Sequence, residues 1–418
     1  MKAPQSWLGV FGSRTMASLL LLGFASGLPY LLVRDALQAW LTVSKVDLGT
    51  IGFATLVSLP YSLKFLWSPL IDRFVPPWLG RRRGWLVVTQ IGLVGAIGLM
   101  ALQNPRTSLS GVVLVALGIA FLSASQDIAF DAYRTDVLTE RELGAGAAVG
   151  VLGYRIALLV AGSLALVLAD HIPWPAVYLL MAAVMGLSLF ATAWAVEPAR
   201  PAAPPARLAD AVRLPFLEFW QRLGAQKAGF VLVFILLYKL GDSLAAAVAT
   251  SFLLQTGFSQ TDIGTLKGGF GLVVTILGTL TGGAILSRIG VNRSLWVFGG
   301  LQAVSNLAYV ALALTGKNYA LMVGTIGIEN FSAGLGTAAF VAFLMSLCNP
   351  RFSATQYALL SSLMAVSRDI IASPSGKLAE LTGWPMFFLI TLGAALPGLL
   401  LLPLFAPWKR QTSNLHRS

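Results

Sequence analysis

Long apolar windows recur along the whole of this chain, each close to the ~20 residues that a helix needs to cross a hydrocarbon core of ~30 Å. They begin near Thr15, Leu48, Gly84, Leu109, Leu143 and Trp174, and again near Gln226, Asp262, Leu295, Tyr319, Phe352 and Trp384. In lipid every backbone polar group must be satisfied within the structure, which leaves helices or closed barrels, and uniformly apolar runs of this length select helices. With 56% hydrophobic and 11% charged residues, the chain cannot present a soluble surface. The expectation is an all-α integral membrane protein with about twelve transmembrane helices, six on either side of a polar, proline-rich break at Glu197 to Gln221. The expected divisions are an N-terminal six-helix bundle over 1–196, a cytoplasmic linker over 197–225, a C-terminal bundle over 226–408 and a tail over 409–418.

The first window lacks a small-residue cleavage site and is followed by further spans, so it is expected to stay in the mature protein. The single cysteine, Cys348, excludes an intramolecular disulfide and a cysteine metal cluster, and the two histidines, His171 and His416, fall in a loop and the tail. No metal, cofactor or catalytic residue is expected. Positive residues near span ends are retained in the cytoplasm. Arg73, Arg81, Arg82, Arg83, Arg134, Arg141, Arg200, Arg207, Arg213, Arg288, Arg293 and Arg351 share a side with Lys2, Arg14, Lys409, Arg410 and Arg417, whereas the opposite loops hold mainly Lys45, Arg106 and Lys317. Both termini are therefore expected in the cytoplasm. This bias accounts for the net charge of +12 without nucleic-acid binding.

Charged residues inside the apolar windows carry the functional signal, since one at the bilayer centre costs ~2.5–3.5 kcal/mol on insertion scales. Arg155, Lys239, Asp242 and Glu329 fall near the middle of their spans, with Asn330 beside Glu329 and the Arg368-Asp369 pair nearer the outer face. Lys64 and Asp127 lie at similar depth, each about two turns from the cytoplasmic end, so that a pair between them is geometrically feasible. Repeated buried charge reads as a polar pathway, the mark of a transporter.

The two halves also resemble each other. Asp47-Leu48-Gly49-Thr50-Ile51 matches Asp262-Ile263-Gly264-Thr265-Leu266, and at the same displacement Leu70-Ile71-Asp72-Arg73 meets Ile285-Leu286-Ser287-Arg288. Tyr154-Arg155 and Ser367-Arg368 hold comparable places in the fifth and eleventh spans. A parallel repeat of six helices joined by a cytoplasmic linker is the major facilitator architecture, two pseudo-symmetric bundles that work by alternating access.

More specific motifs follow. The run Lys64-Phe65-Leu66-Trp67-Ser68-Pro69-Leu70-Ile71-Asp72-Arg73, with Gly80-Arg81-Arg82-Arg83-Gly84-Trp85 and Gln90, resembles the AmpG muropeptide permease family. So do Ser123-Ala124-Ser125-Gln126-Asp127-Ile128-Ala129-Phe130-Asp131-Ala132-Tyr133-Arg134-Thr135-Asp136, Gly144-Ala145-Gly146-Ala147, Gly153-Tyr154-Arg155, Gly23-Phe24-Ala25-Ser26-Gly27-Leu28-Pro29 and Leu37-Gln38-Ala39-Trp40. The likeness is dense from about residue 5 to 200 and thinner beyond, and many members of the family are longer at the C-terminal end. It implies import of peptidoglycan turnover products, N-acetylglucosaminyl-1,6-anhydro-N-acetylmuramic acid with or without its peptide, driven by protons across the bacterial inner membrane. The partners implied are this substrate, protons and membrane lipids, and a monomer suffices.

Such a substrate asks for aromatic surfaces, amides and both signs of charge. Candidates for binding it are Gln126, Lys64, Tyr30, Tyr61, Arg155, Lys239, Asn330, Arg368 and Asp369. Arg155 and Arg368 could equally brace their own bundles, and Lys239 with Asp242 could be a self-satisfied pair at i, i+3. Tyr30, Trp40, Tyr61, Trp67 and Tyr154 could stack on sugars or belong to an interfacial belt. Asp127 is the first candidate for the coupling proton, with Asp242 and Glu329 as rivals. Asp72, Arg73, Arg81, Arg82 and Arg83, joined by Asp131 and Arg134, are assigned to a cytoplasmic gate. The Gly268-Gly269-Phe270-Gly271 run reads as a helix-packing element rather than a phosphate loop. A drug or siderophore exporter, a carrier like the acetyl-CoA transporters, and a lipid-linked sugar transferase are the other readings open at this point.

Overall fold

The computed structural model describes residues 12–46, 55–77, 79–198, 207–367, 371–372 and 374–408. Among these residues all regular structure is helical, and nine helices are long and apolar enough to cross a membrane. One of the nine, Thr265–Thr315, comprises two crossings, because Gly290 (φ 81, ψ 166) interrupts it with a backbone conformation that residues bearing a Cβ avoid. Two further segments are helical in pieces. The second consists of Leu59–Leu63 and Ser68–Arg73 joined by the tighter turn Lys64–Leu66, with Pro60 and Pro69 in the first turns of the two pieces. Proline has no N–H to give and so begins helices more readily than it continues them. The eleventh consists of Ser353–Val366 and Ser375–Thr382. Apart from the linker, twelve helical segments result, within the described residues.

Two compact units divide the chain. One takes in Met1–Thr139, Val149–Pro215 and Cys348–Leu359, the other Glu140–Ala148, Phe216–Leu347 and Leu360–Ser418. In the first unit Arg14–Leu31 packs against the later turns, residues 149–158, of the helix Leu143–Leu158 along a seam of small residues. A Cβ on Gly153 would stand 2.9 Å from the Phe24 nitrogen, and one on Gly27 3.0 Å from the Ala157 Cβ, so only glycine permits the approach. The apolar core of this unit gathers Leu28, Leu32, Leu93, Ile97, Ile119, Tyr178 and Met185. Trp40, 5% exposed and stacked on Trp174, lies within that core and not at an exposed belt.

In the second unit the core is built on Phe252, Tyr309, Phe387 and Phe388. Here Gly282 packs on Leu335 and Gly283 on Ala148. Of the glycine-rich run, Gly271 is in contact with Asn330, whereas Gly269 faces open space within a wide π-type turn, Gly264–Phe270. A reciprocal cap opens this helical segment. Asp262 accepts from the Ser259 N–H (3.0 Å) while its own N–H donates to the Ser259 hydroxyl (3.1 Å), and these bonds with that from Tyr319 hold the Asp262 carboxyl below its usual range. Ser44-Lys45-Val46-Asp47 repeats the spacing in the first half, although Asp47 lies outside the described residues.

The linker also contains structure that a polar, proline-rich stretch does not announce. Leu208–Leu223 is a 16-residue helix with Pro215 inside it.

Candidate functional site

Among the described residues three charged clusters are built into the fold, two in the first unit and one in the second. The helix Leu109–Val137 supplies most of the first pair. Its 29 residues extend ~43 Å, longer than the hydrocarbon core, so its last turns lie beyond lipid. Asp127, Asp131 and Arg134 follow one another at i, i+4 and i+7 along one face.

The deeper cluster centres on Asp127, about ten residues (~15 Å) from the C-terminal end of that helix. Its carboxylate accepts from the Ser26 hydroxyl of the first helix. Around it stand three tyrosines: Tyr30 meets Tyr61 edge to face at 5.0 Å and Tyr154 at 6.4 Å. Arg34 lies 5.1 Å over the Tyr30 ring and donates to its hydroxyl. Gln126, next to Asp127, is 1% exposed, and both atoms of its amide lack a partner among the described residues. A buried amide in that state marks a place where water or ligand completes the bonding. Lys64 does not pair with Asp127. Its ammonium sits 3.4 Å from Asp131, one turn farther along, and Arg134 holds the other Asp131 oxygen at 2.7 Å. Asp131 is therefore paired directly with two cations, whereas Asp127 is bonded to a neutral hydroxyl and feels Lys64 and Arg134 at longer range. Arg155 lies on Leu143–Leu158 with its Nε unpartnered among the described residues. Trp67 donates to Ser125 at 3.0 Å and packs on Phe121, which ties down its indole.

The second cluster surrounds Arg82, 2% exposed. Leu79 (φ 58) and Gly80 (φ 76) turn the chain sharply into the helix Gly80–Ala101, whose first turn carries three arginines. Cations at a helix N-terminus oppose the macrodipole, so they require partners. Successive residues point ~100° apart, and the three diverge accordingly. Arg82 binds Asp136 at 2.7 Å, Asp72 at 3.0 Å and the Ser353 hydroxyl at 2.6 Å. Arg81 donates to the Pro350 carbonyl at 2.9 Å and lies 3.9 Å from Asp136. Arg83 is separate: it donates to the Thr192 and Ala193 carbonyls at 3.0 and 2.6 Å, closing the C-terminal end of Trp174–Trp194, and lies 3.8 Å from Glu197. Burial pushes the Glu197 carboxyl up, with Arg83 acting in the opposite sense. Arg73 stands over Phe74 at 5.6 Å, apart from the cluster.

Asp72 does more than pair with Arg82. It is fully buried and accepts from both the Thr355 N–H and the Thr355 hydroxyl at 2.8 Å, so a carboxylate closes the N-terminal turn of Ser353–Val366. Arg134 adds a contact to the same segment, donating to the Tyr357 hydroxyl and lying 4.9 Å over its ring. Ala354 and Ala358 pack beside Ile71, Ile128 and Ala132. Sequence reasoning missed Asp136, Ser353, Thr355, Tyr357 and Ser26. The Arg-Thr-Asp run containing Asp136 was a usable signal for the first; the others are small hydroxyl residues that composition does not distinguish.

The third cluster belongs to the second unit. Lys239 lies 3.8 Å from Asp242 and donates to Gln302 at 3.0 Å, with Gly336 leaving room for the lysine. Glu329 accepts from the neighbouring Asn330 amide at 2.7 Å, and Thr275 donates to the Asn330 carbonyl oxygen at 2.8 Å. Lys267 acts on Glu329 electrostatically while donating to Thr250 at 2.7 Å. Arg368 and Asp369 lie outside the described residues.

Comparison with known proteins shows the family and the fold. Residues 6–372 match the model of the Major Facilitator Superfamily. The anhydromuropeptide permease of Escherichia coli (strain K12) is 48% identical over 398 residues, covering 95% of this chain and 80% of that protein. A putative transporter AmpG 4 of Rickettsia felis is 32% identical over 403 residues, with 94% and 97% covered. Among solved structures, a proton:xylose symporter, XylE, superposes with a TM-score of 0.69 at 11% identity, over 95% of this chain and 96% of that one. FucP in its outward conformation gives 0.69 at 13% identity, over 95% and 99%. Both are similar in fold.

Proposed function

We propose that this chain, which belongs to the AmpG family of the major facilitator superfamily, imports anhydro-muropeptides, the disaccharide N-acetylglucosaminyl-1,6-anhydro-N-acetylmuramic acid with or without its stem peptide, by proton symport. It is a membrane transporter, and its relatives are permeases and transporters rather than enzymes. The observation that carries the substrate is the 48% identity to an anhydromuropeptide permease across nearly the whole chain. The Asp127 cluster supports it, with three tyrosine rings for sugar faces, an unpartnered Gln126 amide for N-acetyl groups, and charges of both signs one turn away. Lys239, Asn330 and Arg155 add polar groups at membrane depth, and Arg368 and Asp369 join them by sequence position alone.

Asp127 is the carboxylate to which we assign the coupling proton. If Asp131 took up a proton, Lys64 and Arg134 would each lose a directly paired counter-charge; if Asp127 did, the Ser26 hydroxyl would adjust and the same two cations would lose a longer-range interaction, with no direct ion pair broken. Asp242 is likewise tied to Lys239, which leaves Glu329, bonded to a neutral amide, as the rival. One proton falling through 100 mV releases ~2.3 kcal/mol, enough to concentrate a scarce solute roughly 50-fold. Halves over 1–196 and 226–408, joined by the linker 197–225, alternately expose the site to either side. The Arg82 cluster, with Asp72 and Arg81, acts as the gate, supported by Asp131 and Arg134. The bacterial permease relatives support a bacterial inner membrane location, the excess of Lys and Arg in alternate loops supports both termini in the cytoplasm, and a monomer suffices.

The test is uptake of labelled anhydro-disaccharide into proteoliposomes under an imposed inward proton gradient, wild type against Asp127→Asn. Gradient-driven uptake lost in the variant, with substrate binding retained, is the expected result. Equal uptake by both moves the proton to Glu329 or Asp242, and no uptake by either overturns the substrate assignment.

A further inference from the structure

The linker helix Leu208–Leu223 has three faces where a surface helix ordinarily has two. Ala211, Pro215 and Phe219 form a packed face, buried against protein. The Arg222 guanidinium fixes the end of the helix by donating to the Leu347 carbonyl at 2.6 Å. A polar face carries Arg207, Asp210, Arg213, Glu218 and Gln221. The third face is unexpected. Leu208, Val212, Phe216 and Trp220 follow one another at i, i+4 spacing and are each 44–50% exposed.

At ~100° per residue these four side chains sweep a sector ~120° wide, bordered on one side by the packed residues and on the other by Arg213. Large apolar side chains in one continuous exposed stripe mark an interaction surface. What covers it follows from where the helix ends. Gly224 (φ 78) makes a single-residue turn, and the membrane-crossing segment Ala225–Gln255 begins at the next residue. The Trp220 end of the stripe therefore lies at the mouth of a membrane span, the depth at which tryptophan concentrates. Arg207 just before the helix, Arg213 on it and Lys227 just after it are exposed and add positive charge at that level. A helix packed on protein along one face, apolar toward one side and basic toward water, has the form of an interfacial helix occupying the corner between a membrane protein and the bilayer.

We propose that Leu208–Leu223 lies in the headgroup region of the bilayer, with Leu208, Val212, Phe216 and Trp220 immersed in lipid and Arg207, Arg213 and Lys227 set against anionic phospholipid headgroups. This rests on the membrane-spanning fold and not on the identity of the transported solute.

The experiment replaces the sole cysteine (Cys348→Ala) in the full chain and places a bimane label at Val212→Cys, Phe216→Cys or Gln221→Cys. Each variant is reconstituted in vesicles of phosphatidylethanolamine with phosphatidylglycerol. Labels at 212 and 216 are expected to be quenched by brominated acyl chains and shielded from iodide, and the label at 221 to show the reverse. Without the anionic lipid, or with Arg207→Gln and Arg213→Gln, iodide quenching at 212 is expected to rise, each arginine supplying a roughly fivefold attraction to an anionic surface. Equal iodide quenching at 212, 216 and 221 overturns the proposal. Shielding of 212 and 216 from both quenchers also overturns it, since protein would then cover the stripe. Quenching that is indifferent to phosphatidylglycerol overturns the assignment to anionic headgroups. Labelling at two separate positions guards against one variant failing to fold.

Discussion

Replacing Asp72 by alanine should destabilise the first unit by about 3 kcal/mol. The side chain is fully buried and accepts three bonds, from Arg82 at 3.0 Å and from the Thr355 N–H and hydroxyl at 2.8 Å each. Removing one member of a buried ion pair costs ~3–5 kcal/mol because the other charge is stranded. Arg82 is not wholly stranded, since Asp136 remains at 2.7 Å, which favours the lower end of that range. The Thr355 N–H, a helix-terminal donor, loses its only side-chain acceptor among the described residues. Asparagine keeps the shape and an acceptor oxygen, so Asp72→Asn should cost about half as much. For a unit of this size ~3 kcal/mol corresponds to a Tm lower by ~6–12 °C. The chain carries its own reporter in Cys348, its sole cysteine, which is buried and becomes reactive toward a fluorogenic thiol dye on unfolding. A Tm for Asp72→Ala within ~1 °C of wild type would refute the reasoning. So would strict additivity with Asp136→Ala, because both carboxylates serve the same guanidinium and their losses should couple.

Gly153→Ala should destabilise by at least ~1–3 kcal/mol through overpacking against Phe24, whereas Gly95→Ala, which meets nothing within 4 Å, should stabilise by ~0.5–1 kcal/mol; thermal unfolding of the two variants tests the contrast. Lys239→Met should cost ~1.5–3 kcal/mol by orphaning Asp242 and Gln302, with part of the loss recovered in Lys239→Met with Asp242→Asn. Ser26→Ala should lower gradient-driven uptake roughly tenfold or more by removing the hydroxyl that holds Asp127, while Ser18→Ala, whose hydroxyl serves the Arg14 carbonyl and the Tyr133 side chain, should leave uptake unchanged.

Twelve helical segments were legible in the sequence because length and hydropathy alone dictate them. The breaks within them were not, since Pro60 and Pro69 sit in a window whose hydropathy conceals the interruption. The Arg81-Arg82-Arg83 run announced a charged cluster, but consecutive helical residues point in different directions, so only rotation about the helix axis decided that Arg82 meets the carboxylates while Arg83 turns to carbonyls. The same applies to Lys64. Depth was readable, but a uniformly apolar helix does not reveal its facing, and the lysine settles on Asp131 instead of Asp127. The repeat was visible in Asp47 and Asp262, and the matched Ser-x-x-Asp spacing gives it a physical basis in helix initiation. The chemistry at corresponding helix ends had diverged beyond recognition: buried ions bind the start of Ser353–Val366, while glycine-to-alanine contact serves the start of Leu143–Leu158.

The membership of Cys348–Leu359 in the first compact unit also bears on how the protein is made. Arg82 waits for Ser353, 271 positions later in the chain, which at ~5–20 residues per second is roughly 15–55 s of synthesis. During that interval the nascent half carries charge that its final partners have not yet covered. Asp72, Arg82 and Asp136 all emerge early and can pair among themselves, so the insertion intermediate is electrically provisioned before the last helices arrive. A chain cut in the linker would leave its first fragment in that provisional state permanently, and co-expression of the second fragment should be required before it resists proteolysis.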